Sequence, residues 1–136
     1  MAEKRKYDVF LSYAAQDRPW VSEFSAALRH TGIHVWFDAD EIKPGERWQE
    51  AIEEALRESR VLVVVLSPHS FENPGRFFEL GAALGGDKRI IPVIASDIDW
   101  NELPPLIRQF QSVKEPSPAE AARVVAGAIP EIVGSN

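Results

Sequence analysis

Four short apolar runs punctuate the chain: Val9-Phe10-Leu11 and residues 33–37, 61–66 and 90–95. They are near-continuous rather than alternating, the pattern of strands covered on both faces, so they predict a parallel sheet. The stretches between them are amphipathic. Trp20, Phe24, Ala27 and Leu28 follow the spacing i, i+4, i+7, i+8, and Trp48, Ile52, Ala55 and Leu56 repeat it, which predicts two helices with one buried stripe each. Asp17 ahead of Pro19 marks the start of the first helix and Gly32 its stop. Ser67-Pro68 opens a third helical region, interrupted at Asn73-Pro74-Gly75 and resumed over 76–84 with Phe77, Leu80 and Leu84 as its stripe. Pro92, inside the fourth run, predicts an edge strand or a bulge. A weak fifth strand is expected near 111–113, and a last helix from Pro118 that Pro130 shortens.

Strand and helix thus alternate about five times with short links, which right-handed crossovers wind into an open sheet. The fold class is α/β: a doubly wound five-stranded parallel sheet with helices on both faces. One domain is expected over residues 7–133, with short tails at 1–6 and 134–136. In such sheets ligands sit beyond the carboxyl ends of the strands, near the point where strand order reverses. Those ends carry Ser12-Tyr13, Asp38-Ala39-Asp40-Glu41, Ser67 and Ser96-Asp97.

Composition narrows the function classes. The 136 residues include 15 basic and 21 acidic side chains, a net charge of −6, and no cysteine. A hydrophobic fraction of 45% against 26% charged residues excludes disordered, collagen-like and low-complexity classes. The absence of cysteine removes disulfide frameworks, thiolate zinc sites and cysteine nucleophiles, and fits a reducing compartment, so a cytoplasmic location is expected. Residues 61–66, the longest apolar run, are too few to cross a bilayer, and the charged start over 1–6 has no apolar signal core behind it, so no membrane partner is expected. An acidic balance without a basic face argues against nucleic acid as a partner.

Most familiar ligand-binding motifs are absent from the sequence. No glycine cluster forms a turn between strand and helix, so neither a dinucleotide fingerprint nor a phosphate loop is present. His30, His34 and His69 are isolated, and no metal site is expected. Asp38, Asp40 and Glu41 suggest a calcium loop, but Lys43 stands where its turn glycine belongs and Gln49 where its bidentate glutamate belongs. A phosphorelay receiver needs an aspartate at the end of the third strand, and that strand ends Leu66-Ser67. Glu79 is harder to set aside. It sits in an apolar, small-residue helix beyond the first turn, where capping would recommend a carboxylate, and at the margin of the Phe77, Leu80, Leu84 stripe. It reads either as a site carboxylate near the ends of the first and third strands or as a partly solvated residue on a helix edge.

Tyr7-Asp8-Val9-Phe10-Leu11-Ser12-Tyr13 resembles the first box of Toll/interleukin-1 receptor (TIR) domains. Val35-Trp36-Phe37-Asp38, followed by Ile42-Lys43-Pro44-Gly45, is similar to the family's second strand and BB loop. Residues 61–67 with Pro68 match its third strand. Phe78-Glu79-Leu80-Gly81-Ala82-Ala83 resembles the helix carrying the glutamate of its NAD-cleaving members. The four segments come in family order, and the resemblance runs from Tyr7 to about Val133.

The resemblance implies a flavodoxin-like fold, and one of two activities. The first is NAD+ nucleosidase action at the nicotinamide ribosyl bond, by hydrolysis or by cyclisation to a cyclic ADP-ribose type product. It would serve bacterial immunity, signalling or an effector role and be activated by self-assembly. The alternative is a non-catalytic scaffold acting by homotypic association. A nucleoside ribosyltransferase of similar fold is a third reading, but its further acidic partners are not found. On the enzymatic reading Glu79 is catalytic, and Tyr13, Ala14, Ala15, Asp38, Trp48, Ser67 and Arg76 bind substrate. Asp40, Glu41, Lys43, Pro44 and Gly45 form an assembly loop. NAD+ is then a substrate, no cofactor is needed, and the partners are other TIR domains joined head to tail, with open filaments as the natural product. One carboxylate suffices because nicotinamide leaves as a neutral ring that needs no general acid, unlike the leaving group in sugar hydrolysis. Many enzymatic relatives carry a tryptophan four residues before the glutamate; Gly75 stands there, with Arg76 following as a guanidinium suited to a phosphate. No Phe-Trp pair matches the animal receptors' third box, which points to a bacterial-type domain.

Overall fold

The computed structural model describes residues 7–37, 48–68, 89–95, 101 and 112–133. Five strands form one sheet: β1 (Tyr7–Ser12), β2 (Val35–Trp36), β3 (Ser59–Leu66), β4 (Arg89–Ile94) and β5 (Val113–Lys114). Their order is β2-β1-β3-β4-β5 and every pairing is parallel, the flavodoxin-like arrangement. Three helices are described: α1 (Arg18–His30), α2 (Trp48–Arg57) and α3 (Pro118–Val133). None is long and apolar enough to cross a membrane.

The unbroken apolar runs follow from two cores, one on each face of the sheet. Successive strand side chains point to opposite faces. Val9, Leu11, Val35, Val61, Val63, Val65, Ile91 and Val93 therefore pack with Val21, Phe24 and Leu28 of α1 and with Ala121, Ala122, Val125 and Ile129 of α3. Their neighbours Phe10, Trp36, Leu62, Val64, Leu66, Ile90 and Ile94 face the other way, against Ala55 and Leu56 of α2. Phe10 and Trp36 stack across β1 and β2, with ring centroids 4.7 Å apart and planes 7° from parallel. Strands with both faces buried need no polar alternation, which is the reason the sequence shows none.

The α1–β2 connection is held tightly. Gly32 adopts φ +94°, a left-handed conformation that glycine takes at no steric cost. Its N–H donates to the Arg29 carbonyl at 2.9 Å, and the Thr31 hydroxyl donates to the Leu28 carbonyl at 2.7 Å, so both of these carbonyls in the last turn of α1 are met. The His34 N–H then donates to the Asp8 carboxylate at 3.0 Å, and the Arg29 guanidinium reaches the Val35 carbonyl at 3.0 Å. Short as it is, β2 is thereby tied to both β1 and α1.

Three local expectations are corrected. Trp20 was expected on the buried stripe of α1, which instead runs through Val21, Phe24, Ser25 and Leu28. Trp20 and Ala27 are half-buried at its margin, because the indole N–H turns out to bond the Pro116 carbonyl. Pro92 predicted an edge or a bulge, yet β4 is an interior strand. β5 pairs only with Val93 and Ile94, so on that side the proline lies before the ladder begins. α3 continues past Pro130 to Val133, since a missing N–H so near the helix end removes a single hydrogen bond. The stripe expected over 76–84 lies outside the described residues.

Candidate functional site at the carboxyl ends of β1 and β3

Strand order reverses between β1 and β3: the chain leaves β1 to form β2 on one side, then returns to form β3 on the other. A crevice beyond the carboxyl ends of these two strands is where an open α/β sheet takes its ligand. Ser12 closes β1 opposite Val64, and Ser67 follows directly on β3. Both serines are buried, at 3% and 4% exposure, which sets polar groups at the floor of an otherwise apolar sheet end.

The segment after β1 contacts residues that follow both neighbouring strands, Phe37 after β2 and Ser67 after β3. Tyr13 is half-buried, its ring 5.4 Å from that of Phe37 and tilted by 48°, so it leans toward the β2 side. Ala14 follows, and its carbonyl accepts the Asp17 N–H at 2.9 Å, closing a 3-10 turn over Ala15–Asp17. Asp17 occupies the N-cap of α1, with proline in the first helical turn, but its side chain makes no capping hydrogen bond. Its carboxylate instead accepts the Ser67 hydroxyl at 2.5 Å, between residues 50 positions apart. That is the short range of a charge-assisted O–H···O⁻ bond.

Of the substrate-binding residues expected from sequence, Tyr13, Ala14 and Ser67 are gathered at this end of the sheet. Ala15 opens the 3-10 turn beside them. Trp48 begins α2, with its side chain outside the described residues. Glu79, Asp38 and Arg76 lie outside the described residues, as do Asp40, Glu41, Lys43, Pro44 and Gly45 of the expected assembly loop. Asp17 was not expected here. Its sequence signal, an aspartate ahead of Pro19, reads only as a helix start, because the partner that redirects it is distant in the chain. Among the described residues no group of three or more histidine, aspartate or glutamate side chains is placed to hold a metal ion. The carboxyl ends of β1 and β3 thus bring two buried serines, a half-buried phenol and a carboxylate to one end of the sheet.

A family model described as TIR domain matches residues 9–124. The probable 2' cyclic ADP-D-ribose synthase TcpB of Brucella abortus (strain 2308) is 30% identical over 129 residues, covering 91% of this chain and 47% of that protein. The NAD(+) hydrolase PdTIR of Paracoccus denitrificans is 34% identical over 95 residues, covering 64% of this chain and 31% of that protein. The chain therefore spans less than half the length of these relatives. Among solved structures, a TIR-STING receptor from C. gigas superposes with a TM-score of 0.79 at 20% identity, over 95% of this chain and 41% of that one. The TIR domain of the Toll-related receptor TRR-2 from Hydra magnipapillata gives 0.68 at 23%, over 96% and 97%.

Proposed function

The chain belongs to the TIR domain family, and from that premise we propose that it cleaves NAD+ at the bond between nicotinamide and ribose. The observation that carries this reading is the 30% identity, across 91% of the chain, to a relative named as a cyclic ADP-ribose synthase. Similarity to a protein named as an NAD(+) hydrolase supports it.

The chemistry asks little of the protein beyond positioning and charge. As the C–N bond breaks, nicotinamide departs with the bonding pair as a neutral ring and leaves a ribosyl oxocarbenium ion. Glu79 is assigned the stabilising anion, acting where positive charge develops. Attack at the ribosyl carbon by water, with loss of a proton, gives ADP-ribose; attack by a hydroxyl elsewhere in the same ADP-ribosyl unit gives a cyclic product. The crevice between β1 and β3 is assigned to the substrate; Tyr13, Ala14, Ala15, Asp38, Trp48 and Ser67 are assigned to hold it, and Arg76 to contact its phosphates. NAD+ is the substrate of this scheme, and no further cofactor enters it.

Self-association through residues 40–45 is part of the same proposal. A cytoplasmic role in bacterial signalling or defence completes the reading.

The test is incubation of the purified protein with NAD+ and measurement of nicotinamide release, alongside Glu79→Gln. Release by the wild type and its loss in E79Q, with unchanged melting, is the expected result. An active E79Q variant overturns the catalytic assignment. A wild type that associates with itself but never releases nicotinamide turns the reading to the scaffold module.

A further inference from the structure

We infer that Asp17 is a positioning residue of the β1–β3 crevice, acting through the Ser67 hydroxyl rather than by touching substrate. The inference deepens the NAD+ reading and rests on it. Three observations carry it. The Asp17–Ser67 hydrogen bond joins the β1–α1 connection to the end of β3 across the point where strand order reverses. Asp17 stands at an N-cap, where an aspartate ordinarily accepts an N–H from the first helical turn, and its side chain forgoes that bond. The segment it closes is anchored at its other end by Tyr13 against Phe37 on the β2 side.

Residues 13–17 are thus a short strap pinned to the ends of both strands that flank β1. A carboxylate accepts only, so the direction of the Asp17–Ser67 bond is fixed, with the serine proton committed to Asp17. This holds the Ser67 hydroxyl in one rotamer and holds the strap over the crevice. Removing the carboxylate takes away the strap's tie to the end of β3. Tyr13, Ala14 and Ala15, the residues assigned to substrate, then lose their fixed placement, which costs affinity and orientation rather than chemistry.

The experiment is a cycle in the full chain: wild type, Asp17→Ala, Asp17→Asn, Ser67→Ala and the double variant D17A/S67A. Nicotinamide release gives kcat and KM, calorimetry gives the NAD+ dissociation constant, and melting gives stability. D17A is expected to lower kcat/KM and weaken NAD+ binding about tenfold, mainly through KM. D17N keeps an oxygen that accepts from Ser67 and restores most of the loss. In the S67A background D17A has no further effect, because the two residues act as one unit.

A D17A variant that melts lower but keeps wild-type kcat/KM and NAD+ affinity overturns the inference and leaves Asp17 a structural residue of the helix start. Additive effects of D17A and S67A overturn it as well. Should D17A fail to fold, D17N carries the cycle, and its smaller effect must vanish in the S67A background. A wild type that binds NAD+ without releasing nicotinamide overturns the cleavage reading alone, and the calorimetric cycle then decides the role of Asp17. A wild type that neither binds nor cleaves NAD+ overturns both.

Discussion

The Trp20 indole N–H donates to the carbonyl of Pro116 at 2.8 Å, between residues 96 positions apart. The same ring stacks on Phe24, with centroids 5.3 Å apart. One side chain therefore closes α1 onto the segment that leads into α3, along the margin of the core those helices share. Trp20→Phe removes the hydrogen bond and keeps an aromatic ring; Pro116 is exposed and its carbonyl can turn to water, so the cost is about 1 kcal/mol. Trp20→Ala also removes the packing and is expected to cost about 2–4 kcal/mol. Denaturant unfolding of both variants checks the order, and equal losses would mean that the ring contributes nothing beyond its N–H.

How far the fold was legible in the sequence follows from how local each signal is. β3 reads directly, because burial on both faces makes every residue from Val61 to Leu66 apolar. The placement of α1 was legible but its rotation was not: spacing alone favours Trp20, while the indole needs an acceptor that only the approach to α3 provides. Pro92 and Pro130 misled because a proline rule sees its own strand or helix and not where the neighbouring ladder begins. At the carboxyl end of the sheet, the positions of Tyr13 and Ser67 were legible because each directly follows an apolar strand run. Asp17 was read as a helix start, since a pairing across 50 residues leaves no trace in a local window.

Ser25 sits on the buried face of α1 at 1% exposure, and its hydroxyl has no hydrogen-bond partner among the described residues. A buried hydroxyl left unpaired carries a desolvation cost, and alanine is the better helix former. Ser25→Ala is expected to stabilise the protein by about 0.5–2 kcal/mol, visible as a higher melting temperature. A lower one would show that the hydroxyl is bonded in solution.

Two glycines predict opposite outcomes for the same change. Gly32 and Gly127 both have open space around an added Cβ, so sterics with neighbours decide neither case. Gly32 holds φ +94°, where alanine is strained, and Gly32→Ala is expected to destabilise by about 1 kcal/mol. Gly127 lies inside α3 on its exposed side, where glycine wastes chain entropy, and Gly127→Ala is expected to stabilise by about 0.5–1 kcal/mol. Melting both variants side by side checks the sign, and a Gly32→Ala variant as stable as wild type would mean that the turn after α1 relaxes.

The proposed assembly sets a dependence on protein concentration that a self-sufficient monomer lacks. In the sequence over 40–45 proposed to mediate assembly, Pro44-Gly45 suits a defined turn and Asp40, Glu41 and Lys43 can complement charges on a second copy. A head-to-tail contact of this kind uses two different surfaces, so it need not close and each added copy presents the same free end. If one copy's loop completes the crevice of the next, dilute chains are mostly incomplete sites. Turnover per molecule then rises with concentration by mass action, and measuring it over about a hundredfold range of protein makes the rise visible. Added salt is expected to lower activity at fixed protein concentration, because exposed charges are screened over about 8–10 Å near physiological ionic strength. Lys43→Glu is expected to shift the concentration curve toward higher protein without lowering its plateau, since it weakens the contact and not the chemistry. A flat, nonzero specific activity across the range would refute catalysis that depends on assembly, and a fall in plateau for K43E would place that lysine in the chemistry instead.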